Sequence, residues 1–271
     1  MKILFAKSKW EVWNEETELF LKRTKSDGYD ATEIYINEIP ERPEELVELH
    51  QKYGLQIIAQ FLTEGKTHKD HLNSIDKLAE MAIKVNPLLV NCHPGKDYFS
   101  FSENIEILRK LTDLSKDTGI LFAAETHRGR ATFSLIDTVK YLDEIPELML
   151  TADFSHWMVV HESDLSDQKN NLAKAISRSR HIHARVGYEE GPQITDLKDP
   201  TWEGHINNHL NIWQGIVDNC INEGVEQITI TPEFGPPNYL HTLPFSNKPI
   251  SDPWKSNLFM KELIKERIKF D

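Results

Sequence analysis

Short apolar runs rich in β-branched residues alternate along this chain with longer amphipathic segments. The runs predict strands at Ile3–Ala6, Thr32–Ile36, Leu55–Gln60, Leu88–Cys92, Ile120–Glu125, Leu148–Asp153, Arg180–Arg185 and Gln227–Glu233. Helical spacing fills the intervals, the first with Leu19, Phe20 and Arg23 in a polar segment that ends at Asp27-Gly28. Pro43 opens one helix, Leu46, Leu49 and Tyr53 follow at spacings of three and four, and Gly54 closes it. Ile75, Leu78, Ala79, Ala82 and Ile83 form a single apolar stripe. Ser102 reads as the N-cap of a helix that Gly119 ends. Further helices are predicted over Phe133–Leu142, over Lys169–Ser177, along the stripe Leu210, Trp213, Val217 and Cys220, and over Trp254–Ile268. Regular alternation of strand and helix is the order of a parallel sheet with crossover helices. Eight such units in 271 residues predict an α/β fold, a (β/α)8 TIM barrel, which takes about 250 residues. A doubly wound sheet would carry a Gly-rich phosphate loop after its first strand. Lys7-Ser8-Lys9-Trp10 stand there instead.

No shift in composition marks a domain boundary, so residues 1–271 read as one domain. Lys and Arg number 31 against 43 Asp and Glu, a formal net charge of −12. Nucleic-acid and anionic-membrane partners are disfavoured, because binding to phosphate draws on clustered basic residues. Two cysteines, Cys92 and Cys220, exclude a disulfide-built scaffold. The apolar run near the N-terminus is too short for a signal peptide and no stretch is long enough to span a membrane, so the chain reads as cytoplasmic. Trp202 and Trp254 read as exposed aromatics that could serve a homo-oligomer interface.

The chemistry concentrates at the ends of the last four predicted strands. These end in Ala124-Glu125-Thr126-His127, in Asp153-Phe154-Ser155-His156, in His181-Ile182-His183-Ala184-Arg185 and in Pro232-Glu233. In a barrel, C-terminal strand ends share one pocket. A carboxylate left bare there costs several kcal/mol unless it is paired or bound to metal. Three carboxylates and an imidazole suit one divalent cation such as Mn²⁺, Mg²⁺, Co²⁺ or Zn²⁺. The competing interpretation is a structural ion-pair network, with Arg128, Arg130 and Arg185 as the cations.

The set Glu125, Asp153-x-x-His156, His181-x-His183 and Glu233 resembles the xylose isomerase-like TIM barrels, a family of sugar phosphate isomerases and epimerases that also holds inosose dehydratases and an apurinic endonuclease branch. The resemblance implies Glu125, Asp153, His183 and Glu233 as metal ligands. It implies His156 as a contact to substrate or to metal-bound water, and Arg185 as a contact to a substrate oxygen or carboxylate. The endonuclease branch needs an aspartate soon after the histidine. This chain reads Ala184-Arg185-Val186-Gly187 there, so one metal is expected.

On this resemblance the chain is expected to be an isomerase or epimerase of a small polyhydroxy carbonyl substrate. Glu125 and Glu233 would be its catalytic residues, moving the α-proton through an enediolate. A dehydratase, a metal hydrolase or a non-catalytic sugar-binding barrel would use the same site. Strand ends add candidate substrate contacts at His93, Gln60 and Trp10, with Lys7 and Trp13 beside them. His181 reads as a satisfied core histidine, and His205 and His209 as a solvated helix face. The long connections 186–203 and 234–253 leave C-terminal strand ends, where lids and binding loops sit.

Overall fold

The computed structural model describes residues 1–270. Strands β1 (Lys2–Ser8), β2 (Ala31–Tyr35), β3 (Gln56–Leu62), β4 (Val90–His93), β5 (Phe122–Glu125), β6 (Leu150–Ala152), β7 (Ser179–Ala184) and β8 (Gln227–Pro232) pair in parallel in chain order. The ring closes where Ile3 and Phe5 of β1 sit opposite Ile228 and Ile230 of β8. Helices α1 (Thr17–Ser26), α2 (Pro43–Tyr53), α3 (His68–Lys84), α4 (Phe101–Thr118), α5 (Leu135–Glu144), α6 (Ser155–His161), α7 (Lys169–Ser177), α8 (Glu203–Asn222) and α9 (Pro253–Arg267) surround it. This is the predicted TIM barrel.

Strand side chains alternate between the helix layer and the barrel interior. The outward set joins one large apolar core with the helices. The inward set begins with a small apolar plug of Ala6, Ala31, Ile58 and Leu89. Two residues further along the strands the same face carries Ser8, Glu33, Gln60 and Asn91. The barrel interior thus changes from apolar to polar as the chain climbs toward the C-terminal strand ends.

Helix starts follow local chemistry. Ser100, rather than Ser102, caps α4: its hydroxyl accepts from the Glu103 amide while the Glu103 carboxylate accepts from the Ser100 amide. A glutamate three residues on makes Ser100 the better cap. Ser134 caps α5, which therefore begins at Leu135 and not at Phe133. The short helix α6 was not predicted. It is anchored by buried Trp157, whose indole N–H donates to the Thr132 carbonyl at 2.9 Å. Trp254 is a further correction, since it is nearly buried and not an exposed interface residue. Its indole donates to Asp27 at 2.7 Å, and Arg23 lies 3.8 Å from its ring centre. No helix of the described residues is long and apolar enough to cross a membrane.

A buried histidine joins α2 to β2. His50 lies 2.7 Å from the Thr32 hydroxyl and 2.7 Å from the Leu46 carbonyl. Burial pulls its pKa down to about 4, against about 6.5 when unfolded. The unfolded chain therefore binds the extra proton between these values, and stability falls as pH drops from about 6.5 to about 4. The shift corresponds to about 3 kcal/mol. Urea midpoints measured from pH 7 to pH 4 should decline, and His50→Gln should make that decline shallower.

Candidate functional site

All the sequence-predicted ligands lie at one end of the barrel. Glu125 ends β5, His183 lies near the end of β7, and Asp153 and Glu233 sit just beyond β6 and β8. One side-chain donor atom from each of these four comes within 4.8 Å of every other, and all four residues are buried. His183 Nδ1 is 2.9 Å from Glu233 Oε2 and 3.6 Å from Glu125 Oε2. Yet Nδ1 makes no aligned hydrogen bond to either. A buried ring nitrogen that faces two carboxylate oxygens without an aligned bond to either is what a shared cation would resolve. The donor set, three carboxylate oxygens and one imidazole, fits a divalent ion by the same chemistry.

The electrostatics agree. Burial pulls the His183 pKa down, but the carboxylates of Glu233, Glu33 and Glu125 outweigh it and hold the pKa well above the usual histidine value. Burial pushes Asp153 up to about 6, with Arg185 opposing the rise. Burial also pushes Glu125 up, but His93 and His183 together bring it far below the usual carboxylate range. Such perturbation of packed titratable groups is concentrated at functional sites.

The ion-pair alternative holds in one place only. Arg185 is salt-bridged to Asp153 and lies 3.8 Å from Glu233 Oε2. Arg130 instead donates to the Thr63 carbonyl at 3.1 Å. Arg128 is exposed, 5.2 Å from the centre of the Tyr239 ring. Three buried carboxylates thus face one guanidinium and the His183 ring, a donor set that a divalent ion could join.

Above the cluster opens a cavity of about 520 Å³. Glu125, Glu233, Arg185, His93, Gln60 and Trp10 line it. His93 Nε2 lies 2.6 Å from Glu125 Oε2 and 3.1 Å from Gln60 Nε2. His156 stands one layer back. It is fully buried, accepts from Arg185 Nη2 at 2.9 Å and packs against His127 at a centroid distance of 3.9 Å. Lys7 does not face the cavity. It points outward, salt-bridged to Glu11 and 4.3 Å from the Trp254 ring centre. His181 is buried as expected, with Nδ1 3.0 Å from the Thr229 carbonyl. His209 is a correction: it is buried, not solvated, and its Nε2 accepts from the Gly187 amide at 3.0 Å.

Several wall residues escaped the sequence reading. Tyr35, Glu38, His127 and Tyr239 all line the cavity. Glu33 and Asn91 lie beneath it and bond directly to the cluster. The two long loops meet each other: Gln193 accepts from the Gly235 amide at 2.7 Å and donates to its carbonyl at 3.2 Å. The Trp10 indole packs against Gly235 so closely that a Cβ there would fall 2.1 Å from it. Trp10 in turn meets Tyr239 edge to face at 5.0 Å. For an enzyme acting in this pocket, Gly235→Ala should therefore displace the Trp10 wall and lower kcat/KM roughly 10–100-fold. Steady-state kinetics beside a thermal melt would show whether the loss occurs without a matching loss of stability.

Comparison with known proteins agrees with the fold. The sequence profile of the xylose isomerase-like TIM barrel family matches residues 21–223. Three solved structures superpose along nearly the whole chain. D-allulose 3-epimerase from Methylomonas sp., in complex with D-allulose, has a TM-score of 0.66 at 15% identity, covering 98% of this chain and 97% of its own. A probable 3-DHS dehydratase from Bacillus anthracis has 0.59 at 13%, covering 96% and 98%. A xylose isomerase-like TIM barrel protein from Mycobacterium smegmatis, in complex with magnesium, has 0.63 at 13%, covering 93% and 89%. At such identities these likenesses speak to the fold alone. No curated protein matches the sequence. The family match spans most of the chain, and the chain belongs to the xylose isomerase-like TIM barrel family.

Proposed function

We propose that this protein is a divalent-metal-dependent isomerase or epimerase of a small sugar-like substrate carrying a hydroxyl next to a carbonyl. The observation that carries this reading is the convergence of Glu125, Asp153, His183 and Glu233 on one point at the floor of an open cavity. These four residues would hold the ion. When bound, it would act as a Lewis acid, polarising the carbonyl and the neighbouring hydroxyl.

The chain's own residues do the rest. Asn91 Nδ2 donates to Glu125 at 2.6 Å, and His93 approaches the same oxygen from the cavity side. Glu125 is therefore fixed in orientation. Glu233 has His183 and the more distant Arg185 as neighbours. The two carboxylates come from β5 and from the end of β8, three strands apart around the ring, and can address opposite faces of a substrate carbon. One removes the α-proton and the other delivers one. Trp10, Tyr35 and Tyr239 offer ring faces and edges to the C–H surface of a sugar. The net charge of −12 speaks against a phosphate-backbone substrate.

Relatives of differing reaction type share this fold, and a dehydratase would begin with the same proton removal. Incubating the Mn²⁺-loaded protein with ketohexoses, inososes and related hydroxy ketones in D₂O separates them. Deuterium at the α-carbon with a new epimer or aldose supports the proposal. Loss of water marks a lyase. Metal binding with no α-deuteration of any substrate would overturn the proton-transfer reading.

A further inference from the structure

Beneath the metal-type cluster lies a second one that shares a residue with it. Glu33, on β2, is fully buried, and both its oxygens approach His183 Nε2, at 2.9 and 3.0 Å. The same carboxylate accepts from Asn91 Nδ2 at 3.0 Å and from the Thr231 hydroxyl at 2.7 Å. His181 Nε2 lies 3.2 Å away. Four strands thus converge on one buried carboxylate: β4, β7 and β8 meet β2.

Both nitrogens of the His183 ring are therefore spoken for by opposite sides of the molecule. Glu33, His181 and His183 could by themselves group around a cation. The geometry argues otherwise. Neither Glu33 nor His181 lines the cavity, and hydrogen-bond donors already occupy Glu33. The upper cluster includes Glu125 and Glu233 on the cavity wall. An imidazole facing a carboxylate with both oxygens near 3 Å donates N–H to it. With Nε2–H held there, an ion that displaces the second ring proton would meet the lone pair of Nδ1, the atom that faces Glu233 and Glu125.

We propose that Glu33 is a positioning residue of the metal centre: it holds His183 in the Nε2–H tautomer, turns Nδ1 toward the ion and, through the Asn91 amide, ties the orientation of His183 to that of Glu125. This inference rests on the metal reading above and goes one shell beyond it. Partners of this kind fix ring orientation and raise ligand basicity, and their loss lowers metal affinity about 10–100-fold. Asn91 extends the effect, because a single amide nitrogen donates to Glu33 at 3.0 Å and to Glu125 at 2.6 Å.

The test is a Co²⁺ titration of the metal-free protein followed by its visible absorption, with proton NMR of the Co²⁺-loaded form in H₂O and D₂O. Wild type should bind Co²⁺ and show a hyperfine-shifted, solvent-exchangeable imidazole N–H from His183. Glu33→Ala should bind about 100-fold more weakly and Glu33→Gln, which keeps the shape and an acceptor oxygen, about 10-fold. The exchangeable signal should broaden or vanish in Glu33→Ala and persist in Glu33→Gln. Circular dichroism checks folding, and the isosteric Gln variant keeps the test valid should Ala not fold. If wild type binds no Co²⁺, the metal reading itself fails and this inference with it. If wild type binds and both variants match it within about twofold, only the role of Glu33 is overturned. Retention of binding in Asp153→Asn with its abolition in Glu33→Gln would place the ion in the lower cluster and also overturn the proposal.

Discussion

A Glu233→Gln protein, loaded with Mn²⁺, should lose net epimerisation by about 10³-fold and yet keep α-deuterium exchange on one of the two epimers. Glu125→Gln should lose turnover to a similar degree and keep exchange on the other epimer. Glu125 and Glu233 reach the cavity floor from β5 and from the end of β8, and their oxygens flank His183 Nδ1. If each serves one face of the substrate carbon, a glutamine silences that face alone. The surviving carboxylate can still take a proton from its own epimer and return a solvent deuteron without inversion. Both glutamates are also expected ligands, so metal content has to be measured alongside. A variant that has lost its ion will lose exchange with both epimers, and excess Mn²⁺ distinguishes that outcome. Loss of all exchange in one metal-loaded variant with full exchange in the other would point to a single base and end the two-carboxylate scheme.

Strand alternation made much of this legible. Side chains two apart share a face, so Glu125 with His127 and Gln60 with Leu62 stand above one another along the cavity wall, and Arg185 stands two residues beyond His183. Charge at the end of an apolar run was the visible signal, and it marked the positions at 125, 153, 183 and 233. Glu33 and Asn91 are polar too, but they lie inside their runs, within Thr32–Ile36 and Leu88–Cys92. There the apolar neighbours dominated the pattern. A carboxylate in mid-strand of an all-parallel barrel has water on neither face, which is reason enough to expect a partner for it. Tyr239 and Gln193 were not legible at all. They sit on loops whose course depends on contacts such as Gln193 with Gly235, and no periodicity encodes those. Trp254 misled for a related reason: its aromatic ring is paired with Arg23 and Lys7 from distant parts of the chain.

Arg185→Met should destabilise the metal-free protein by about 3 kcal/mol, the lower end for removing one partner of a buried ion pair. That corresponds to a fall of roughly 10 °C in Tm for a chain of this size. Arg185 is almost fully buried and pairs with Asp153, which has no exposed surface. Burial, joined by the nearby carboxylates of Glu233 and Glu125, pushes the Asp153 carboxyl up to about 6 even with the guanidinium beside it. Methionine keeps much of the side-chain volume against Tyr239, whose ring centre lies 4.5 Å from the guanidinium carbon, so charge rather than packing is what changes. A divalent ion bound by Asp153 would replace the missing positive charge. By linkage, whatever binds the folded state alone stabilises it, and here the ion relieves a cost that wild type does not carry. Saturating Mn²⁺ should therefore raise the Tm of Arg185→Met by more than it raises that of wild type, bringing the two proteins closer together. Melts in EDTA and in Mn²⁺ measure both differences. An equal response to metal in the two proteins would mean that Asp153 and the ion do not meet, and the ion pair with Arg185 would then be the whole role of that carboxylate.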